Sequence, residues 1–301
     1  MALGAAALAL AWSAPAGAYV RYLTDVGKPF FWAQSTVPIT AYPDGFTQTS
    51  MTQAQLEGAV TAAAATWSAP GQACTYLTLM PAFGTGEGPP AANDGHSTVL
   101  FHSTVWCHVQ ADGTCPGGVE YDASALAVTT DTANTMTGQI YDSDVEVNSL
   151  IYPWADVVQD PQLVADMDLQ NALTHELGHL IGLDHTCWDP LTSTTPSRPV
   201  DNLGNPVPDC SNPSPDVEAT TMFPSADAGD IQKRDLAPDD QNGLCEIYNV
   251  DDPPPQPGTE AFGGCVRCAT GGPFAPGALA FWVALAALIG LRRRARGTTP
   301  R

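Results

Sequence analysis

Hydrophobic and polar positions along this chain fall into blocks that predict a mixed set of strands and helices. Thr36 to Tyr42 (TVPITAY) alternates in the manner of a half-buried strand and is closed by Pro43-Asp44-Gly45. From Thr52 to Trp67, Leu56, Val60, Ala63, Ala64 and Trp67 recur at helical spacing, with Ser50 or Thr52 as the cap. Ser97 to His102 (STVLFH) reads as a buried strand, and Ala123 to Thr130 and Gln139 to Val147 as two strands joined by a polar turn. In the last of these, Asp142, Asp144, Glu146 and Asn148 share one face, opposite Val145 and Val147. That row is a candidate calcium site, although a solvated edge-strand face is the preferred reading. A second helix carries Leu169, Ala172, Leu173, Leu177 and Leu180 at three- and four-residue steps, capped by Asp166 or Asp168. Residues 84–95 and 189–216 are Pro/Gly/Ser/Asn-rich loops, and no internal repeat is visible.

Composition narrows the class of protein. With 301 residues, 44% hydrophobic and 14% charged, the chain suits one large domain or two small ones, and is too apolar for disorder. Its formal net charge is −21, from 11 basic and 32 acidic residues. The only basic residues between Tyr19 and Gly264 are Arg21, Lys28, Arg198, Lys233 and Arg234. All 32 acidic residues lie in that span, which therefore carries 5 − 32 = −27. A body this acidic repels phosphate backbones, which excludes nucleic acid as a partner. There is no glycine-rich phosphate loop.

The two ends point to export. Residues 1–18 read as a signal peptide: a short Ala/Leu run, then Ala16-Gly17-Ala18, a small-x-small cleavage site that makes Tyr19 the new N-terminus. Residues 19–250 form the body and residues 251–264 a Pro-rich linker containing Pro253-Pro254-Pro255. Residues 265–301 form a tail in which Cys265 and Cys268 precede an uncharged run, Phe274 to Leu291, and then Arg292-Arg293-Arg294-Ala295-Arg296. The run is 18 residues, about 27 Å as a helix, and the arginines leave the tail inside and the body outside. Cysteine motif, apolar helix and arginine cluster in that order resemble the tripartite sorting signal of myxobacterial and related surface proteins. A plain tail anchor is the alternative and has the same topology. The expected location is the cell envelope, cell surface or extracellular space.

Six cysteines remain in the body: Cys74, Cys107, Cys115, Cys187, Cys210 and Cys245. In an exported chain they read as disulfides. Short loops favour Cys107–Cys115 and Cys187–Cys210, which leaves Cys74–Cys245 as a long-range clasp.

The candidate chemistry lies in one segment. Residues His175 to His185 have the form HExxHxxGxxH. Four residues advance a helix by about 400°, so His175 and His179 point the same way one turn apart and can share a metal at a Zn–N distance of about 2 Å. Glu176 is directed to the side of that pair, within reach of a metal-bound water without being a ligand. Gly182 can adopt a left-handed conformation and end the helix, so that the chain turns back and brings His185 as third ligand. Three neutral imidazoles leave the fourth position of zinc open to water, as catalytic sites do. Such a water, with Glu176 as general base, attacks an amide carbonyl that zinc also polarises. By chance HExxH would arise in about 0.3% of shuffled chains of this composition. His96, His102 and His108 lack ligand spacing and are assigned structural roles.

HExxHxxGxxH followed by a methionine turn resembles the metzincin zinc proteases. Ala219-Thr220-Thr221-Met222-Phe223-Pro224-Ser225 looks like that turn. Gly182-Leu183-Asp184-His185 and Met222-x-Pro224 are most similar to bacterial matrixins. The resemblance covers most of Thr36 to Tyr248. It implies an α+β catalytic domain: a twisted, mostly parallel sheet with an antiparallel edge strand, an active-site helix, the Met-turn and a last helix near Pro238 to Tyr248. It also implies zinc held by His175, His179 and His185, Glu176 as catalytic base, Met222 as a structural floor, and a protein or peptide substrate. Phe223 stands where many relatives have Tyr, and neither a Pro-Arg-Cys-Gly latency segment nor the structural-zinc loop of animal matrixins has a counterpart. The expected function is an exported zinc endopeptidase. A surface binding or adhesion module that keeps the fold and metal is the alternative, and a zinc amidase a third.

Overall fold

The computed structural model describes residues 18–46, 49–69, 71–91, 93–107, 121–190 and 198–252, and the backbone of Val283–Leu285. The described strands and helices, in chain order, are β1 (Val20–Arg21), β2 (Thr36–Ala41), α1 (Gln53–Thr66), β3 (Thr78–Phe83), β4 (Thr98–His102), β5 (Ala127–Ala133), β6 (Ile140–Asn148), β7 (Trp154–Ala155), β8 (Met167–Asp168), α2 (Leu169–Leu180), β9 (Leu183–Asp184), α3 (Pro215–Glu218), α4 (Pro238–Ile247) and β10 (Val283–Leu285). The fold is α+β around a mixed, mostly parallel sheet of order β10-β5-β6-β4-β2-β3. Strands β3, β2, β4 and β6 run parallel, and β5 turns back antiparallel to β6.

The sheet is dry on the face that meets the helices. Val37 and Ile39 of β2, Val99 and Phe101 of β4, and Val145 and Val147 of β6 join one apolar cluster with Ala59, Val60, Ala63 and Ala64 of α1 and Leu173, Leu177 and Leu180 of α2. Helix α1 starts in a capping box: the Thr52 hydroxyl accepts from Gln55 N–H at 3.3 Å, and the Gln55 side chain accepts from Thr52 N–H at 2.8 Å. That settles the cap on Thr52 rather than Ser50. Trp67, fully buried, fastens α1 to α2 by donating its indole N–H to Thr174 O at 2.7 Å.

Three expectations change. Strand β5 begins at Ala127, because Asp122 accepts from Ser124 N–H in a local turn that takes Ala123 and Ser124 out of the ladder. Strand β3 was not anticipated, since TLMPAF does not alternate and contains Pro81; as the outermost parallel strand it tolerates that proline. The acidic row on β6 is not a solvated edge face. β6 is a central strand, and Asp142, Asp144, Glu146 and Asn148 are all buried. Backbone N–H groups of Asp94 and Gly95 close over Asp142, Thr98 N–H donates to Asp144, and His102 and Tyr121 meet Glu146 at 2.9 and 2.6 Å.

Cys74–Cys245 ties the segment before β3 to α4, and Cys187–Cys210 closes the loop after β9, with Cα–Cα distances of 5.2 and 5.0 Å. Cys107 is also oxidised, but its expected partner Cys115 lies outside the described residues. The signal peptide up to residue 17, most of the linker and nearly all of the tail lie outside them too. Within the apolar run of the tail, Val283–Leu285 is extended rather than helical, antiparallel to Thr129–Asp131 on the otherwise free edge of β5. Strand edges offer unpaired backbone groups to such a segment. No helix among the described residues is long and apolar enough to cross a membrane.

Burial pushes the Asp144 carboxyl up to about 8, and the neighbouring Asp142 and Glu146 carboxylates push the same way. Asp144 thus binds its proton more tightly in the fold than in the unfolded chain. Its contribution is full below the ordinary carboxylate range and is lost as pH climbs towards 8. Stability of the parent should therefore fall between about pH 4 and about pH 8. Asp144→Asn, whose amide oxygen can still accept from Thr98, should flatten that fall. Denaturant unfolding at both ends of the window checks this, and identical pH slopes in parent and variant would contradict it.

Candidate metal centre

Helix α2 begins where Asp168, not Asp166, accepts from Asn171 N–H at 2.9 Å. The same carboxylate takes a two-pronged contact from Arg234, at 2.8 Å from Nε and 2.6 Å from Nη2. The helix is buried along nearly its whole length, so its polar side chains must be satisfied by protein. It stops at Gly182, whose φ of +95° is left-handed and whose N–H returns to His179 O at 2.8 Å. A Cβ there would meet Phe30 O at 2.6 Å.

The carbonyls left over at this helix end are each taken by a distant segment. Leu180 O accepts from the Trp32 indole at 2.8 Å, Ile181 O from the Tyr248 hydroxyl at 2.8 Å, and Gly182 O from Tyr22 N–H at 3.1 Å. Strand β9 then pairs antiparallel with β1, and the chain delivers His185 back towards the helix.

The structure brings His175, His179 and His185 together. Nε2 of His185 lies 3.3 Å from Nε2 of His175 and 3.1 Å from Nε2 of His179. The opposite ring nitrogens are committed as donors: His175 Nδ1 to Thr221 O at 2.7 Å and His179 Nδ1 to Leu183 O at 2.9 Å. In His175 and His179, then, the inward-facing Nε2 carries the lone pair. Burial, reinforced by neighbouring cations, holds His175 well below the usual imidazole range, and burial brings His179 to about 4. Both rings are therefore neutral near pH 7. Three imidazole nitrogens that converge in this way can hold a metal ion. A tetrahedral ion with metal–nitrogen bonds of about 2.05 Å sets neighbouring nitrogens about 3.3 Å apart, so the donor set fits zinc. His185 is partly exposed, which leaves the centre open on that side. Among the described residues no other group of three His, Cys, Asp or Glu converges in this way, and the calcium candidates on β6 do not.

Glu176 is fully buried beside the triad. Its Oε2 accepts from the Thr129 hydroxyl of β5 at 2.7 Å, while Oε1 is buried with no hydrogen-bond partner. Burial raises its carboxyl to about 8, against the Thr129 hydrogen bond and the charge of Lys233. The residue next to His175 thus carries a buried carboxyl oxygen that the fold itself does not satisfy.

Met222 packs against the same helix. A Cβ on Gly178 would run into Met222 Sδ and lie 2.9 Å from Trp67, so glycine at that position lets the Met-turn approach. The turn is held by Asp240 of α4, which accepts from Thr221 N–H at 2.6 Å and Met222 N–H at 3.2 Å. Buried Lys233 adds an ammonium that donates to Phe223 O. Elsewhere, His96 is exposed, His102 pairs with Glu146, and His108 lies outside the described residues.

The motif singles out His175, His179 and His185, which the structure brings together, with Glu176 and Met222, but it gives no place to Tyr22, Thr129, Lys233 and Asp240. For Lys233 a signal existed: it is one of only five basic residues in a body of −27. No family model matches the chain, and no curated protein matches it.

Gly182→Ala should cost about 1–3 kcal/mol, since it combines a left-handed backbone with a backbone clash. Denaturant unfolding measures it, and an alanine variant as stable as the parent would show that the turn is not under the constraint described.

Proposed function

We propose that this chain is an exported zinc-dependent endopeptidase of metzincin type, similar to bacterial matrixins. The observation that carries the reading is the convergence of three imidazole Nε2 atoms beside a buried carboxylate with one free oxygen. His175, His179 and His185 would hold the zinc. When bound, zinc supplies Lewis acidity, which lowers the pKa of water and polarises a peptide carbonyl.

The chain's own groups do the rest. Thr129 fixes one oxygen of Glu176 and leaves the other unpaired, free to accept from a reacting water. Glu176 takes the proton of that water and returns it to the leaving amine nitrogen. Thr221 O and Leu183 O keep His175 and His179 in the tautomer that presents Nε2. The disulfides Cys74–Cys245 and Cys187–Cys210 support an oxidising compartment, in keeping with export to the cell surface or beyond. The substrate class is protein or peptide, and the tail, residues 265–301, would provide membrane attachment or sorting.

Glu176→Ala should keep zinc bound, because all three imidazoles remain, while cleavage of an unfolded protein substrate falls about 10²–10⁴-fold. His179→Ala should lose metal and activity together. Chelation should abolish cleavage in the parent, and added zinc should restore it. Metal content and hydrolysis measured side by side decide the matter: a Glu176→Ala chain that cleaves as fast as the parent would defeat the peptidase reading and favour a non-catalytic binding module.

A further inference from the structure

We infer that Tyr22 is a positioning residue of the metal centre, holding the ring of the second histidine ligand from the side away from the metal and bracing the turn that leads to the third. The inference rests on the reading of His175, His179 and His185 as zinc ligands. It concerns a residue 157 positions from the histidine it touches, in a segment that carries no part of the motif.

The phenol oxygen of Tyr22 lies 2.9 Å from His179 Nδ1, and its ring stacks on that imidazole with centroids 5.4 Å apart and planes 30° apart. His179 Nδ1 therefore has two neighbours, Tyr22 Oη and Leu183 O, both at 2.9 Å. The carbonyl can only accept, so Nδ1 carries the hydrogen, shared between the two oxygens, and the phenol accepts from it. The phenol thus closes the outer side of the His179 ring together with Leu183 O. Asp184 Oδ1 accepts the backbone N–H of His185 at 2.7 Å. One hydrogen bond thus holds the ring of His179 and another, along the same reversal, holds the backbone of His185.

Metal-binding histidines depend on such outer partners, which fix ring orientation and tautomer and raise basicity at the ligating nitrogen. Here the partner is itself well fixed. Tyr22 is buried, and β1 just before it pairs Val20 with Asp184 and Arg21 with Leu183. Its own backbone donates to Gly182 O at 3.1 Å and accepts from Phe30 N–H at 2.9 Å. The segment from Tyr19 to Trp32 therefore acts as a strap across the turn that separates His179 from His185. It begins at the expected cleavage point after Ala18.

Tyr22→Phe keeps the ring and its stacking and removes only the hydroxyl. Zinc affinity, measured by competition with a chelator, should fall about 10- to 100-fold. The metal-free variant should melt close to the metal-free parent, and the visible spectrum of the cobalt-substituted variant should differ from the parent's, since one imidazole is no longer held by its phenol. Asp184→Asn, which keeps an oxygen for the His185 N–H and leaves the Tyr22–His179 contact in place, should lose less affinity. A Tyr22→Phe chain that binds zinc as tightly as the parent, with the same cobalt spectrum, would overturn the inference while leaving the metal centre intact. So would a loss of affinity that only mirrors a collapse of the metal-free fold, with an unchanged cobalt spectrum. A parent chain that binds no zinc would refute the metal-centre reading as well.

Discussion

Three imidazoles, two of them buried and neutral, converge so that Nε2 of His185 lies 3.1–3.3 Å from those of the other two, and the surrounding structure holds the rings in that arrangement. The cost of holding the rings there is spread over segments far apart in the chain. The strap before β2 covers the helix end through Tyr22 and Trp32. The C-terminal end of α4 adds Tyr248. The Met-turn supplies Thr221 O behind His175, and α4 in turn holds the Met-turn through Asp240. Strand β5 fixes Glu176 through Thr129. A cation-binding point thus lies where helix, sheet, strap and turn all meet, so binding a metal there would stabilise the whole domain and not one loop.

Two basic side chains behind the site each have a definite acceptor or counter-charge. Arg234 spans Asp156 and Asp168, both at 2.6 Å, and so fastens the segment after the Met-turn to the start of α2. Lys233, next in sequence, turns the other way and donates to Phe223 O. Burial lowers its ammonium to about 7, while Glu176 and Asp240 favour the charged form. Ion pairs of this kind contribute little net stability compared with apolar packing, but deleting one partner strands a buried charge, which is costly. They therefore fix which segments lie together. In this protein that means the turn carrying Met222 against helix α2.

How much of this was legible in the sequence depends on whether the information is local. The ligands His175 and His179 are legible because one helix turn relates them, and His185 because Gly182 announces the reversal. Thr52 was one of two caps offered by the sequence, and the Gln three residues on selects it. Cys187–Cys210 follows from a short loop. By contrast, Tyr22 and Asp240 act over long sequence distances, and an ordinary tyrosine or aspartate carries no local mark of what it will touch. The acidic row on β6 shows the limit from the other direction. Its alternation was read correctly, but whether such a face meets water depends on which loop folds over it, here the one carrying Asp94 and Gly95. Strand β3 was hidden because an outermost strand needs neither alternation nor a full set of N–H donors.

The measurement closest to the central claim is X-ray absorption at the zinc edge on the purified, metal-loaded protein. The account predicts one zinc per chain with three imidazole nitrogens and one light solvent atom at about 2.0–2.1 Å. A sulfur shell at about 2.3 Å, a site with four protein ligands, or a chain that retains no stoichiometric metal would contradict it.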